Sequence, residues 1–291
     1  MYYRDQAEQL RNIVRQQNQI NVTNAKVLTV TSGKGGVGKS NTAVNLAVQF
    51  RKRGKRVIIF DADFGLANVE VMFGTVPAYS LKDVIYGNKR ISEIITEGPM
   101  EIGFISGGSG IVGLNDLQHE QVEELIRSLG ELNTMTDVLI IDTGAGVGSN
   151  VMDFVIASPE VVLVSTPEPS SLTDSYSLVK ALYNDSRFIR GGTNIHLLAN
   201  RVSSKDEAMA IYEKLSSIVA RFLDGEMSYL GMIPQDPALE KAVRAQEIIS
   251  LTTPSARASK AYEEAAAKLL DDETATQYRW GIAQFFRSFV K

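Results

Sequence analysis

Short apolar blocks alternate along the chain with stretches of helical periodicity. Five blocks rich in valine, isoleucine and leucine are KVLTVTS (26–32), RVIIFDAD (56–63), DVLIIDT (137–143), EVVLVST (160–166) and NIHLLAN (194–200). Continuous runs of this kind are typical of strands buried on both faces of a parallel sheet. Helical patterns lie between them, around residues 40–53, 117–132, 170–183 and 206–222. The alternation predicts an α/β fold, a doubly wound and mostly parallel sheet with helices on both faces.

Two terminal segments lie outside this alternation. Near the N-terminus, Ala7, Leu10 and Val14 fall on one side of a helical pattern, which is followed by a polar link. A second helical pattern occupies the last residues of the chain. We therefore expect three parts: an N-terminal helical extension (1–22), one α/β domain (23–272) and a C-terminal amphipathic helix (273–291).

Composition narrows the class of protein. The 291 residues are 44% hydrophobic and 22% charged, which is an ordinary balance for a soluble globular protein. A net charge of −4 gives no general attraction to nucleic acid, so no specific nucleic acid partner is expected. Cysteine is absent, which excludes disulfides and metal centres held by thiolates. Without an apolar run of spanning length or a signal-like N-terminus, a cytoplasmic protein is expected.

The first apolar block leads into a glycine-rich loop, SGKGGVGKSN (32–41). Residues 33–40 fit the pattern G-x-x-x-x-G-K-[ST] between a predicted strand and a predicted helix, the context in which this pattern binds phosphates. We expect Lys39 to reach the β- and γ-phosphates and the Ser40 hydroxyl to ligate Mg²⁺. A glycine-rich turn that binds nothing is the alternative. The residues predicted to bind nucleotide here are Gly33, Lys34, Gly35, Gly36, Val37, Gly38, Lys39, Ser40 and Asn41.

Carboxylates end two of the apolar blocks. Asp61 and Asp63 close the second block, and side chains two residues apart on a strand project to the same side. Asp142 closes the run VLIID, an arrangement in which a strand delivers one carboxylate to a metal shell. The carboxyl ends of parallel strands form the edge where ligands bind, so we expect all three near the phosphate loop. Ordinary solvated loop acids are the alternative.

The second lysine of the loop, Lys34, makes this stretch resemble the deviant Walker A motif of the MinD/ParA/nitrogenase-iron-protein class. The resemblance implies an ATPase whose two subunits dock face to face, with each Lys34 reaching the phosphates of the other as an arginine finger does. It also implies that Asp63 positions the attacking water and that Asp61 contacts the Mg²⁺ through a water, while Ser40 and Asp142 belong to the metal shell. A solvated lysine is the alternative for Lys34. Adenine recognition is implied for Asn200, Arg201, Pro234 and Asp236.

The C-terminal pattern favours one branch of that class. Because the chain has no cysteine, the branches of the class that hold iron–sulfur clusters are excluded. The chain also has no late basic cluster of the kind that a DNA-partitioning protein needs. Aromatic and aliphatic side chains share one side of the terminal helix, with basic residues roughly opposite, which suits a helix lying in a membrane interface. A helix packed on the protein's own core, or on a partner, is the alternative. The residues predicted to meet the membrane are Ile282, Phe285, Phe286 and Phe289.

The N-terminal stretch Asp5-Gln6-Ala7-x-x-Leu10-Arg11 resembles the DQAxxLR motif of the FlhG family (YlxH/FleN), MinD-like ATPases that control flagellar number and placement. The resemblance implies that Gln6, Leu10 and Arg11 bind and stimulate the SRP-type GTPase FlhF. It further implies an ATP-dependent homodimer, bound reversibly to anionic lipid on the inner face of the cytoplasmic membrane, and contact with flagellar C-ring switch proteins. Two alternatives remain: a MinD-type division-site ATPase, and a nucleotide-gated interaction module in which hydrolysis is incidental.

Overall fold

A computed structural model of the chain describes residues 25–63, 68–108 and 127–271, together with Ile282 and Phe285. Its strands form one eight-stranded sheet in the order β3-β4-β2-β5-β1-β6-β7-β8, and every neighbouring pair is parallel except β3 and β4. The predicted fold class is confirmed. The strands are β1 (Lys26–Ser32), β2 (Val57–Ala62), β3 (Thr96–Glu97), β4 (Gly103–Ser106), β5 (Val138–Ala145), β6 (Glu160–Ser165), β7 (Asn194–Val202) and β8 (Ser228–Pro234).

Helices cover both faces of this sheet because successive strand residues point to opposite sides. Leu28 and Val30 of β1 face one apolar cluster, whereas Val27 between them faces another. Helices α1, α2, α9, α10 and α11 contribute to the first cluster, and α3 to α8 cover the opposite face. The helices are α1 (Lys39–Lys52), α2 (Asn68–Phe73), α3 (Leu81–Tyr86), α4 (Ile91–Ile94), α5 (Leu132–Met135), α6 (Ser149–Ala157), α7 (Pro169–Asn184), α8 (Lys205–Leu223), α9 (Pro237–Arg244), α10 (Ile249–Thr252) and α11 (Arg257–Asp271).

The strand order opens a crevice at the carboxyl end of β1. The chain leaves β1 through α1 on one face, while β5, on one side of β1, connects through α6 on the other face to β6. Connections that diverge in this way leave a gap between the helices at the carboxyl edge of the sheet. The phosphate loop lies at this gap.

The five predicted strands are present, each within two residues of its expected bounds. Three further strands, β3, β4 and β8, were not predicted. The first two have only two and four residues, and β8 contains Gly231 and ends in Pro234, so its apolar pattern is interrupted. Such strands depend on pairing with their neighbours more than on their own pattern. Among the described helices, none is long and apolar enough to cross a membrane.

Two of the four residues predicted to meet the membrane pack on the core of the protein in this conformation. Ile282 and Phe285 are fully buried, in the apolar cluster that also contains Leu132 and Phe154. The Phe285 ring stacks on Phe154 with centroids 6.3 Å apart, and the Ile282 N–H donates to Asn133 Oδ1 at 3.3 Å. The apolar side of a helix is removed from water both when it packs on a protein core and when it enters lipid, and the gain in free energy is similar in the two cases. In this conformation both side chains therefore face the protein and not a membrane.

Candidate active site

The phosphate loop runs from the end of β1 directly into α1, in a backbone path that requires glycine at several points. Gly36 and Gly38 have φ of +76° and +101°, in the left-handed region. Gly33 lies so close to α7 that an added Cβ would stand 2.1 Å from the backbone carbonyl carbon of Asp174. The loop is thus held between α7 and the N-terminus of α1, whose unpaired N–H groups attract anions.

Lys39 begins α1 and points into the protein, with only 8% of its surface exposed. Burial lowers the pKa of its ammonium group, while the charges of Asp142 and Asp63 act in the opposite direction. A buried ammonium group needs an anionic partner. Lys39 is therefore close to the carboxylates at the ends of both β2 and β5.

Asp61 and Asp142 lie side by side, because β2 and β5 pair in a register that places these two residues opposite one another. Burial, helped by the charge of the neighbouring Asp61, raises the pKa of Asp142 to about 8, although the Ser40 hydroxyl that faces it and the charge of Lys39 act in the opposite direction. Neither carboxylate oxygen of Asp142 has a hydrogen-bond partner of normal geometry among the described residues. A buried carboxylate in this state lacks the cation or donors that it needs.

Asp61 connects the end of β2 to α2. Its two oxygens accept hydrogen bonds from the N–H groups of Asp63, at 3.1 Å, and Val69, at 3.2 Å. Burial raises the pKa of Asp61 to about 6 in spite of these two bonds. Asp63 lies beside the next strand end, since a Cβ on Gly144 would be 3.6 Å from Asp63 Oδ1. The stretches after β2 and β5 therefore meet at the phosphate loop.

Lys34 forms an ion pair within its own chain. Its ammonium group donates to Glu168 Oε2 at 2.7 Å and to Ser170 Oγ at 2.8 Å, at the start of α7. The hydrogen bond and the charge of Lys34 lower the pKa of Glu168. Sequence reasoning missed these two partners, although Glu168 follows β6 at the same edge of the sheet. The lysine is thus partnered in this conformation, while 35% of its side chain remains exposed to solvent.

A cavity of about 350 Å³ adjoins the loop, and all four residues implied in adenine recognition line it. Asn200 is held in place there, because its Nδ2 donates to Val37 O at 2.7 Å and its Oδ1 accepts from Arg201 N at 2.9 Å. Cavities of this size and mixed lining accept small organic groups. The lining residues are Gly38, Asn41, Asn200, Arg201, Pro234, Gln235, Asp236, Leu239, Glu240, Val243, Arg244 and Tyr262.

Asp236 joins two helices at the wall of this cavity. Its Oδ1 accepts from Ala238 N at 2.9 Å, which caps α9, and its Oδ2 accepts from Ala258 N at 3.0 Å in α11. Both oxygens are therefore engaged in joining two helices. The residue shapes the wall of the cavity through these bonds.

The remaining predicted site residues cannot be placed. Gln6, Leu10 and Arg11 lie outside the described residues, as do Phe286 and Phe289.

Within the described residues, no group of three or more His, Cys, Asp or Glu side chains could hold a metal ion. A metal at this site would accordingly be held by Asp142, Asp61 and hydroxyl or phosphate oxygens.

Comparison with protein families places most of the chain in one of them. The model of the ParA family, described as NUBPL iron-transfer P-loop NTPase, matches residues 23–270. This range begins just before β1 and ends one residue before the end of α11.

Two curated proteins resemble the chain over most of its length. Antiactivator FleN of Pseudomonas aeruginosa is 39% identical over 244 residues, which is 84% of this chain and 86% of that protein. Flagellum site-determining protein YlxH of Helicobacter pylori is 33% identical over 296 residues, covering 99% and 98% respectively. Among solved structures, the septum site-determining protein MinD of Pyrococcus horikoshii, complexed with Mg-ADP, has a TM-score of 0.66 at 22% identity, covering 87% of this chain and 98% of that one. The likeness to this MinD structure shows that the two proteins share a fold.

Proposed function

Since the chain belongs to the ParA family of P-loop NTPases and, within it, to the FlhG group of MinD-like ATPases, we propose that it is an ATP-driven switch that dimerises, binds the cytoplasmic membrane and stimulates FlhF. The chain is an ATPase, and Mg²⁺ would be its cofactor. The names of its two curated relatives, an antiactivator and a flagellum site-determining protein, support a role in flagellar placement. Iron transfer through thiolates is excluded, because the chain contains no cysteine.

The observation that carries the nucleotide site is the buried carboxylate of Asp142, beside Lys39 and Ser40, which has no hydrogen-bond partner of normal geometry among the described residues. Mg²⁺ suits this position, because it is commonly bound by one or two carboxylates together with phosphate oxygens. Asp142, Asp61 and the Ser40 hydroxyl would hold it. When bound, the ion neutralises charge on the β- and γ-phosphate oxygens.

The protein groups around the site would act by position and charge. Phosphoryl transfer passes through a loose transition state, so the protein has little covalent chemistry to perform. Lys39 would stabilise the phosphate oxygens as negative charge moves toward the leaving group. Asp63, next to Gly144, would orient the attacking water by accepting a hydrogen bond from it.

Lys34 would complete this site in a second subunit. Because it is held by Glu168 and Ser170 of its own chain, its ion pair has to open or be shared when two subunits dock over nucleotide. The reach to a partner's phosphates then depends on dimerisation, which makes hydrolysis depend on assembly. A cation supplied in this way can raise a hydrolysis rate by ~10³–10⁵ in related chemistry.

Membrane binding through the C-terminal segment would require that segment to leave the core. Ile282 and Phe285 are buried in the conformation described, so they can enter lipid only after release. The N-terminal extension, with Gln6, Leu10 and Arg11, would contact FlhF, and C-ring switch proteins would bind elsewhere on the chain. These partners follow from the family resemblance. They are proposals for this chain.

Molar mass by light scattering, with ADP and with a non-hydrolysable ATP analogue, tests the switch. We expect the wild type to become a dimer only with the ATP analogue. Lys34→Ala should bind the analogue and stay monomeric. Lys180→Ala, which removes an exposed lysine of α7, is the matched control and should behave as the wild type. If Lys34→Ala dimerises like the control, Lys34 has no role between subunits.

A further inference from the structure

One tyrosine hydroxyl at the cavity beside the phosphate loop has no hydrogen-bond partner of normal geometry among the described residues. Tyr262 of α11 is fully buried, and its hydroxyl makes no hydrogen bond of normal geometry with any described residue. The Thr42 hydroxyl faces it but donates to Gly38 O at 2.9 Å. Buried hydroxyl groups almost always have a hydrogen-bond partner in native proteins. A ligand bound in the cavity could supply the missing partner.

The phenol belongs to the wall of the cavity that adjoins the phosphate loop. Tyr262 lines the same cavity as Gly38 of the loop and as Asn200 and Arg201 of β7. It packs from α11 onto α1, the helix that starts at the phosphate loop. The position therefore combines closeness to the loop with a wall shared by the residues implied in base recognition.

A second buried atom in this cavity also lacks a partner. The Oδ1 of Asn41 makes no hydrogen bond with the described residues, and Asn41 follows directly on Ser40. Two such atoms in one cavity indicate that the cavity is built for a ligand with polar edges. An apolar occupant would leave both of them without partners, at a cost.

We infer that the Tyr262 hydroxyl forms a hydrogen bond with the base of the bound nucleotide and makes Tyr262 a specificity-determining residue for adenine. The inference rests on the proposed function, because it takes this cavity as the base site. Burial raises the pKa of the phenol to about 12, so the hydroxyl stays protonated at physiological pH. It can therefore donate to a ring nitrogen of adenine or accept from the amino group.

The test compares wild type and Tyr262→Phe, which keeps the ring and removes only the hydroxyl. Binding is measured by calorimetry for ATP analogue, for GTP analogue and for inorganic tripolyphosphate, which has no base. We expect Tyr262→Phe to lose about five- to tenfold in affinity for the ATP analogue, as one neutral hydrogen bond predicts. Tripolyphosphate affinity should not change, so the preference for ATP over GTP should shrink.

A control variant removes a hydroxyl elsewhere. Tyr212 OH donates to Met227 O at 3.1 Å, and Tyr212 does not line the cavity. Tyr212→Phe should leave every nucleotide affinity unchanged. Thermal unfolding without nucleotide supplies a second readout, in which Tyr262→Phe should be no less stable than the wild type because it loses an unpartnered hydroxyl.

Several outcomes would overturn the inference. Unchanged ATP affinity in Tyr262→Phe, with or without a lower melting temperature, would show that the hydroxyl serves an ordered water or nothing. Equal losses for ATP analogue and tripolyphosphate would show that it serves the phosphates. The proposed function would fail differently, because the wild type itself would then bind ATP analogue no better than tripolyphosphate.

Discussion

Asp61 and Asp142 are buried next to each other, and their protonation links the nucleotide site to the stability of the protein. The pKa values of about 6 and about 8 lie above the ordinary value of 3.8 for both groups. Between about pH 4 and pH 8 the folded protein therefore holds protons that the unfolded chain has released. Stability falls as pH rises through this window, and it would be restored by a cation that replaces the protons.

Asp142→Asn should remove most of this dependence. With chelator present, we expect the melting temperature of the wild type to fall between pH 5.5 and pH 8.5, and that of Asp142→Asn to fall much less. The two should differ by several degrees at pH 8.5, at about 2–4 °C per kcal/mol. Added Mg²⁺ should stabilise only the wild type, and more strongly at pH 8.5 than at pH 5.5.

Asp137→Asn is the control for this experiment, since a hydrogen bond from Arg56 lowers the pKa of that carboxyl. The Asp137 carboxyl releases its proton below this pH window. The melting temperature of Asp137→Asn should therefore change with pH in parallel with that of the wild type. If Asp142→Asn also runs parallel, Asp142 is ionised throughout and the raised pKa is wrong.

At the scale of elements, the cavity wall depends on how α9 starts. Asp236 caps α9 and also bonds the first turn of α11, so two helices from different parts of the chain meet at one carboxylate. The end of β8 supplies this residue directly, because α9 begins three residues after Pro234. The geometry of the cavity is therefore set by one turn and two helix starts.

Asp236→Ala should weaken both stability and nucleotide binding. Loss of an N-cap costs about 1 kcal/mol, and the second hydrogen bond adds about as much. Ser204→Ala removes the N-cap of α8, where Ser204 Oγ accepts from Glu207 N at 3.1 Å, away from the cavity. Both variants should unfold at lower temperature, whereas only Asp236→Ala should bind ATP analogue more weakly by calorimetry. Equal nucleotide affinities in the two variants would contradict this role.

At the scale of the whole molecule, one aromatic group joins the C-terminal segment to the nucleotide site. Phe154 of α6 stacks on Phe285, and it also meets Phe60 edge to face with centroids 5.7 Å apart. Phe60 directly precedes Asp61, and α6 follows the stretch after β5 that approaches Asp63. The packing beneath Phe285 is therefore contiguous with both carboxylate stretches.

Phe154→Leu should loosen the C-terminal residues while keeping an apolar side chain in place. We expect more protein to float with anionic liposomes in the absence of ATP, together with a lower melting temperature. Leu215→Ala opens a cavity in the core under α8, which is not part of the cluster around Phe285, and should lower the melting temperature without increasing flotation. If both variants float equally, general instability explains the binding.

The local pattern of the chain was enough to predict the fold class, five strands, the phosphate loop and the carboxylates that end two strands. Each of these depends on residues close together in sequence: apolar runs, a glycine spacing, an acid at a strand end. The parallel order of the sheet then brings the strand ends to one edge. For this reason Lys39, Asp61, Asp63 and Asp142 lie together as expected.

Contacts between distant residues could be decided only by the tertiary structure. Lys34 and Glu168 are 134 positions apart, and no local pattern relates them. Tyr262 belongs to an ordinary amphipathic helix until α11 packs on α1 and places it in a cavity wall. The apolar side of residues 282–289 fits lipid and core equally well, because the hydrophobic effect has no direction of its own. Only the packing of Ile282 and Phe285 against Phe154 decides where those two side chains lie.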